Sequence, residues 1–526
     1  MSHNKIIYKP YDQEQLNLIP ANLEDMIPDD HIVRLVNKVL ESLDISSIES
    51  TYKKGGTSIY HPRMLLKVLV YGYLQKIYSS RRITKALRED IHFMWLSGNN
   101  RPDFRTINNF RSKRLKGSID KVFSSIFELL LKEGYVKYEN YFLDGTKIEA
   151  NANKYSYIWK KSNQKYLSGI KEKIAVLIEE IEKTNEAENK EYGDKDLEEL
   201  GEQSSLDQTR LEEFTRELSE KLKENPEDKN LKKAEKKLRE EYLPKYEKYK
   251  KQEEQLQGRN SCSKTDPDAT FMRLKEDTHP NSNPKAAYNV QMGTENQFIT
   301  GYSIHQSAGD TNLLIEHLEN QERLYGIRPE NIIADAGYGS QENYEYLSEK
   351  YKGIYVKYNM YDREKKRTYI EDIFRVENLS YNARKDIYLC PAGNPMKYVG
   401  QEIKTTLNGY TTVIKKYKAK GCRGCPLRAE CHKSRYNRII SVSPGVKKYR
   451  TRVKKNLDSA KGEKLIKQRP VDVESVFGHI KGNRNFRRFN LRGLEKVKVE
   501  FGLVAIAHNL KKMAKMLTIN PYFATI

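Results

Sequence analysis

The chain has 526 residues, with 94 Lys and Arg against 72 Asp and Glu, a formal net charge of +22 and a pI near 9.3. That length is too great for one core, and the cationic surplus points to a polyanionic partner, nucleic acid by default, without naming an activity. A mean hydropathy of −0.81 and the lack of any long apolar run exclude a membrane span, and a start without a hydrophobic signal core reads as cytoplasmic.

Residues 1 to about 28 read as an extended arm. Asp29 or Asp30 then stands where it would cap a helix whose Ile32, Val33, Leu35, Val36, Val39 and Leu40 form one apolar stripe. Pro62 opens a second helix. Ser79 and Ser80 precede RRITKALREDIHFMWL, and Asp103 precedes FRTINNFRSKRL. Short capped helices rich in Arg and Lys are the pattern of a helical DNA-binding unit, with Arg105, Arg111 and Arg114 as candidate DNA contacts. The alternative is a packing domain with an ordinary solvated basic face.

In NYFLDGTKIEANANKY, Tyr141, Phe142 and Leu143 read as a buried strand that stops at Asp144 and Gly145. A carboxylate there is costly to bury unless paired or bound to a metal, so Asp144 is a candidate ligand; the alternative is a solvent-facing Asp before a turn glycine. From about Gln164 to Gln257, Glu, Lys, Gln and Leu dominate. Ile170, Ile174, Leu177, Ile178 and Ile181 make one helical stripe, and Leu231, Ala234, Leu238 and Tyr242 make another. Asn225-Pro226 and GDKDLEELGEQSS interrupt them, so two or three antiparallel helices are expected, an insertion with no chemistry of its own. AAYNVQMG and QFITGYSIHQ then form a hairpin that turns at Asn296. Asp310 caps a helix ending at Gly326, followed by NIIADAGYGS, the helix QENYEYLSEKY and the strand GIYVKY. This order of elements is that of an α/β core with a mixed sheet.

Asp335 ends the NIIADAGYGS strand, where ligands of open α/β sheets gather; its alternative is to cap the turn that follows. Cys390, Cys422, Cys425 and Cys431 are four of the five cysteines. Their CxxC spacing suits a closed structural Zn²⁺ site better than disulfides in a reducing compartment. Cys262 is given no role. On the next helix Val473, Val476, Phe477 and Ile480 bury one face. Glu474 lies beside that face, with Gly478 and Lys481 further along the same side, whereas Asp472 points elsewhere and suits a helix N-terminus. Arg484, Arg487, Arg488 and Arg492 follow as candidate grips on DNA backbone. Two aspartates on strands and a glutamate on a helix could hold two Mg²⁺ or Mn²⁺ ions about 3.5–4 Å apart across a phosphodiester.

LDGTKIEANANKY, SKTDPDATFM, ADAGYGS and VESVFGHIKG, in that order, with PDFRTINNFR upstream, resemble the DDE transposases of bacterial insertion sequences. The expected organisation is a mixed α/β fold: an all-helical N-terminal DNA-binding domain (1–138), a ribonuclease-H-like catalytic core (139–163 and 259–516), a coiled-coil helical insertion (164–258) and a Cys-rich insertion (386–440). The resemblance implies Asp144, Asp335 and Glu474 as the catalytic, metal-binding triad. It implies an enzyme that binds the terminal inverted repeats of its element, cuts the ends and joins the freed 3′-OH to target DNA. The implied partners are double-stranded DNA and a second copy of the chain, in the cytoplasm or on the nucleoid. The alternative is a DNA-binding protein of transposase origin that no longer cuts. Many relatives carry a Tyr, an Arg, the catalytic Glu and a Lys at fixed spacing on the last helix. Lys481 fits the Lys position and Lys467 stands in place of the Tyr, while the Arg position holds Pro470, with Arg469 one place off.

Overall fold

The computed structural model describes residues 22–52, 59–154, 156–192, 229–276, 283–406 and 408–519, with short helical pieces at 215–216, 219–220 and 223. Most of the expected N-terminal arm, the GDKDLEELGEQSS stretch and Asn225-Pro226 lie outside them. Helices run over Ile32–Ser42, Pro62–Leu74, Ser80–Glu89, Ile91–Leu96, Phe104–Asn109 and Ile119–Lys132. Pro62 and Asp103 start their helices as expected; Asp103 accepts from Thr106 N at 2.7 Å. The first helix is capped not by Asp29 or Asp30 but by His31, whose Nδ1 accepts from Val33 N at 3.3 Å. These helices have no core of their own. Val36, Leu69 and Ile126 belong to one buried cluster with Phe501 and Val504 of the last helix, Leu494–Ile519.

The strands, in chain order, are β1 (Asn140–Glu149), β2 (Tyr157–Trp159), β3 (Ser261–Ser263), β4 (Thr270–Met272), β5 (Lys285–Glu295), β6 (Phe298–His305), β7 (Asn331–Ala334) and β8 (Gly353–Val356). The central sheet runs β6-β5-β1-β7-β8, with β4 beside the start of β5. β5 pairs antiparallel with β1 and β6, while β7 and β8 run parallel to β1. This is the mixed α/β arrangement of a ribonuclease-H-like core. Asn296 and Gln297 both take positive φ (52° and 61°), as a two-residue turn matched to strand twist requires.

The expected break at Asp144-Gly145 is absent: β1 continues through both residues to Glu149, pairing with Met292 and Gln291. Gly145 serves close approach instead of a turn. A Cβ there would lie 2.5 Å from Gln291 Nε2 and 2.7 Å from Asp310 Oδ1. Asp310 likewise does not cap its helix through its side chain; Oδ1 accepts from Asn289 Nδ2 (2.7 Å) and Gln291 Nε2 (2.9 Å).

Between β2 and β3 the chain leaves through helix Lys160–Tyr192 and returns through a helical run from Lys229 to Leu256. Leu167, Ile170, Ile174 and Leu177 pack on Ala234, Leu238, Tyr242 and Tyr246, so the two apolar stripes of the insertion face each other. After β8 a second, antiparallel sheet orders β13-β12-β11-β10-β9, from β9 (Tyr381–Asn382), β10 (Ile387–Leu389), β11 (Pro395–Thr405), β12 (Thr411–Lys418) and β13 (Ile439–Val442). A helical run from Ala460 to Asn483 then crosses the main sheet. No helix among the described residues is long and apolar enough to cross a membrane.

Candidate active site

Leu143 of β1 sits opposite Ala334 of β7 in parallel register, so the next residues, Asp144 and Asp335, leave the pair side by side. The Asp144 side chain is only 8% exposed, and Gly145 N donates to its Oδ1 at 2.8 Å. Asp335 ends its strand half-exposed and accepts from Gly337 N at 2.9 Å, so it also caps the following turn. Glu474 is half-exposed on the late helix.

Arg469 joins the three acids. Its Nη2 lies 3.4 Å from Asp144 Oδ1 and 3.9 Å from Asp335 Oδ2, and its Nη1 donates to Glu474 Oε1 at 2.8 Å. Two oxygens that share one nitrogen at those distances are nearer than the roughly 8 Å beyond which two ions at the usual separation could not bridge them. The one-residue offset of Arg469 is absorbed by the helix itself. Pro470–Glu474 is a π-turn, wider by one residue than an α-turn, so residues five apart share a face. Pro470 supplies a cause, because it has no N–H for the ordinary i→i−4 bond.

Burial raises the Asp144 carboxyl above the usual range, while Arg469 and Lys275 pull it down and Asp335 adds to the rise. The three acids line a cleft of about 370 Å³ with Lys275, Glu276, Phe477, Gly478 and Lys481. Lys481 Nζ donates to Lys147 O (2.8 Å) and Glu276 Oε1 (2.9 Å), and burial lowers its pKa against the pull of Glu276. Lys275 was not among the expected site residues. Nor was Gln291 of β5, which donates to Asp310 and accepts from Tyr338 OH, and so ties β5 to the Asp335 turn. Among the described residues no group of three or more His, Cys, Asp or Glu side chains is arranged to hold a metal ion. The acids fit one by donor type, but each faces the guanidinium.

Several expected DNA contacts have other duties. Arg484 is 1% exposed and donates to Tyr73 O and Ala507 O, fastening the second helix to the last. Arg111, 3% exposed, donates to Tyr73 OH and Tyr78 O. Both are therefore corrected from DNA contacts to internal fasteners: a guanidinium so enclosed cannot reach a phosphate. Arg114 is part-buried over the Tyr52 ring and bonds Thr51 O. Arg105, Arg487, Arg488 and Arg492 are exposed, although Arg488 donates to Ala150 O and Ala152 O and Arg492 to Asn151 O. Asp472 is corrected too. It is buried inside the helical run and accepts from Thr294 Oγ1 (2.7 Å) and Gln297 N (2.9 Å), anchoring the Glu474 helix to the β5–β6 hairpin.

Cys390, Cys422, Cys425 and Cys431 line one small cavity with His432 and Arg438. All four are free thiols, and Arg438 Nη1 lies 3.2 Å from Cys431 Sγ. Cys262 is buried in β3 with Ile158 and Leu256.

A family model described as a transposase DDE domain matches residues 389–514, and one described as a transposase domain (DUF772) matches residues 21–113. The first spans the cysteine loops and the Glu474 helix; Asp144 and Asp335 lie outside both. No curated protein and no solved structure matches the chain.

Proposed function

The chain belongs with the DDE transposases of insertion sequences, and on that premise we propose that it cuts and rejoins DNA at the cleft of Asp144, Asp335 and Glu474, acting on the terminal inverted repeats of its own element. The observation that carries this reading is the convergence of three acids, from two strands and a helix, on one guanidinium within 3.9 Å.

All three donors are carboxylates, a set that suits Mg²⁺ or Mn²⁺. A pair of such ions would supply an activated oxygen nucleophile and would neutralise charge at the phosphodiester. Asp144, fixed in a central strand, is the rigid member. Asp335 and Glu474, each about half-exposed, face the open side where a DNA strand would lie. Lys275 and Lys481 offer positive charge to its phosphates, and exposed Arg105, Arg487, Arg488 and Arg492 extend that field. Bringing two element ends together calls for at least a dimer.

The test is incubation of the full chain with Mg²⁺ and DNA carrying the element's ends. Wild type is expected to release cut ends and Asp335→Ala to release none; equal products from both would remove the catalytic reading and leave a DNA-binding protein.

The same proposal assigns Cys390, Cys422, Cys425 and Cys431 a structural Zn²⁺. What supports it is that thiols from two loops meet at one cavity, in a small sheet whose buried apolar core is six residues. Arg438, now beside Cys431, would have to give way.

A further inference from the structure

We propose that Arg469 is a resident cation of the cleft: it holds the three acids in register when no divalent ion is bound, and it competes with such ions for the same oxygens. This rests on the metal-dependent reading above and deepens it.

Three carboxylates sharing one cleft repel each other, and Asp144 has little water to soften that. One guanidinium answers all three, because its planar fork spreads charge over two terminal nitrogens: Nη1 takes Glu474, and Nη2 faces both aspartates. The arm that carries it is shaped for this contact. In an α-helix residues five apart point about 140° away from each other, at 3.6 residues per turn; the π-turn over Pro470–Glu474 brings Arg469 and Glu474 onto one side. The side chain is 12% exposed, so it lies inside the cleft and not across its mouth.

The seat is nevertheless incomplete. Arg469 Nε is buried and has no hydrogen-bond partner among the described residues. A Mg²⁺ ion needs its oxygens at about 2.0–2.1 Å in near-octahedral order, which leaves no room for a guanidinium among the same three carboxylates. Ion entry therefore displaces Arg469. Its charge then needs an anion, and a DNA phosphate with two free oxygens matches the fork. The consequence is coupling: DNA that draws Arg469 away raises affinity for ions, and by linkage bound ions raise affinity for DNA.

The experiment is calorimetric titration of Mn²⁺ into the full chain without DNA, for wild type, R469Q, R469K and E474Q. R469Q is expected to bind Mn²⁺ about tenfold or more tightly than wild type, and E474Q more weakly. R469K, which keeps the charge but loses the fork, should fall between wild type and R469Q and carries the test if R469Q does not fold. A random-sequence DNA duplex should tighten Mn²⁺ binding to wild type and narrow its gap to R469Q. If both Arg469 variants bind Mn²⁺ no more tightly than wild type while E474Q binds less, Arg469 does not compete and the inference falls. If E474Q matches wild type as well, the three acids are not the ion site, and the metal-dependent reading falls instead.

Discussion

The acid cleft and the cysteine cavity rest on unlike foundations. The two aspartates of the cleft stand on strands with fully buried neighbours, Phe142 and Leu143 beside Ile333 and Ala334. A one-residue slip would turn every side chain of β1 to the other face, so the packed β1–β7 register sets Asp144 next to Asp335, and Arg469 faces the pair it brings together. The cysteines stand on loops of a sheet whose core is Leu379, Tyr388, Met396, Tyr417, Ala419 and Ile440. Cores so small seldom hold a unit together without a staple. The fold builds the first site, whereas under the proposed Zn²⁺ reading the second site would help to build its fold.

That contrast predicts opposite outcomes for substitutions in the two places. Glu474→Gln and Asp335→Asn should lower DNA cleavage by roughly 10⁴-fold, as loss of one member of a constellation that acts as a unit does, with little change in the unfolding midpoint. A large fall in stability would mean that the acids are structural. In the other region, Cys425→Ser should remove about one zinc per chain by elemental analysis. It should also destabilise the second sheet by about 4 kcal/mol or more, read as new proteolytic cuts between residues 381 and 442. A wild-type chain without zinc whose sheet resists protease would show that the small core suffices.

The arginines sharpen the comparison within the basic run itself. Arg484→Ala leaves two carbonyls and a cavity inside the core, and about 3 kcal/mol of stability should be lost in urea unfolding. Arg487→Ala, on the surface, should change stability by less than about 0.5 kcal/mol and weaken DNA binding with a shallower salt dependence. The reverse pattern would return Arg484 to the DNA-contacting face.

Apart from β4, the order of elements in the main sheet was legible, because buried strands, hairpin and helices each carry their own periodicity. So were the facing stripes of the helical insertion. Four other features were not. Gly145 reads as a turn until β5 and Asp310 are seen lying against it. Arg111 and Arg484 read as DNA contacts because charge counts say nothing of location, and their partners Tyr73 and Ala507 are remote in sequence. Arg469 reads as misplaced on uniform helical spacing; Pro470 in a helix interior is the signal that the spacing changes there. The second sheet had a signal as well. Asn408-Gly409 stands between the alternating runs that become β11 and β12, the pattern of a tight hairpin.

The smallest expected effect concerns the buried acid. Burial holds the Asp144 carboxyl above the usual range, outweighing Arg469 and Lys275, so the folded chain grips that proton more firmly than the unfolded chain does. Its favourable contribution is whole below the ordinary carboxylate pKa and is lost as pH rises through the raised value. Asp144→Asn is neutral throughout and escapes the loss. It should therefore raise the unfolding midpoint at pH 7 to 8, by an increment that shrinks as pH falls toward about 4. An increment that persists in acid would come from packing and not from charge. A variant less stable than wild type at neutral pH would mean that the pairing with Arg469 outweighs burial. Asp144 would then owe its place to an ion pair as well as to strand register, and the line between the two sites would blur.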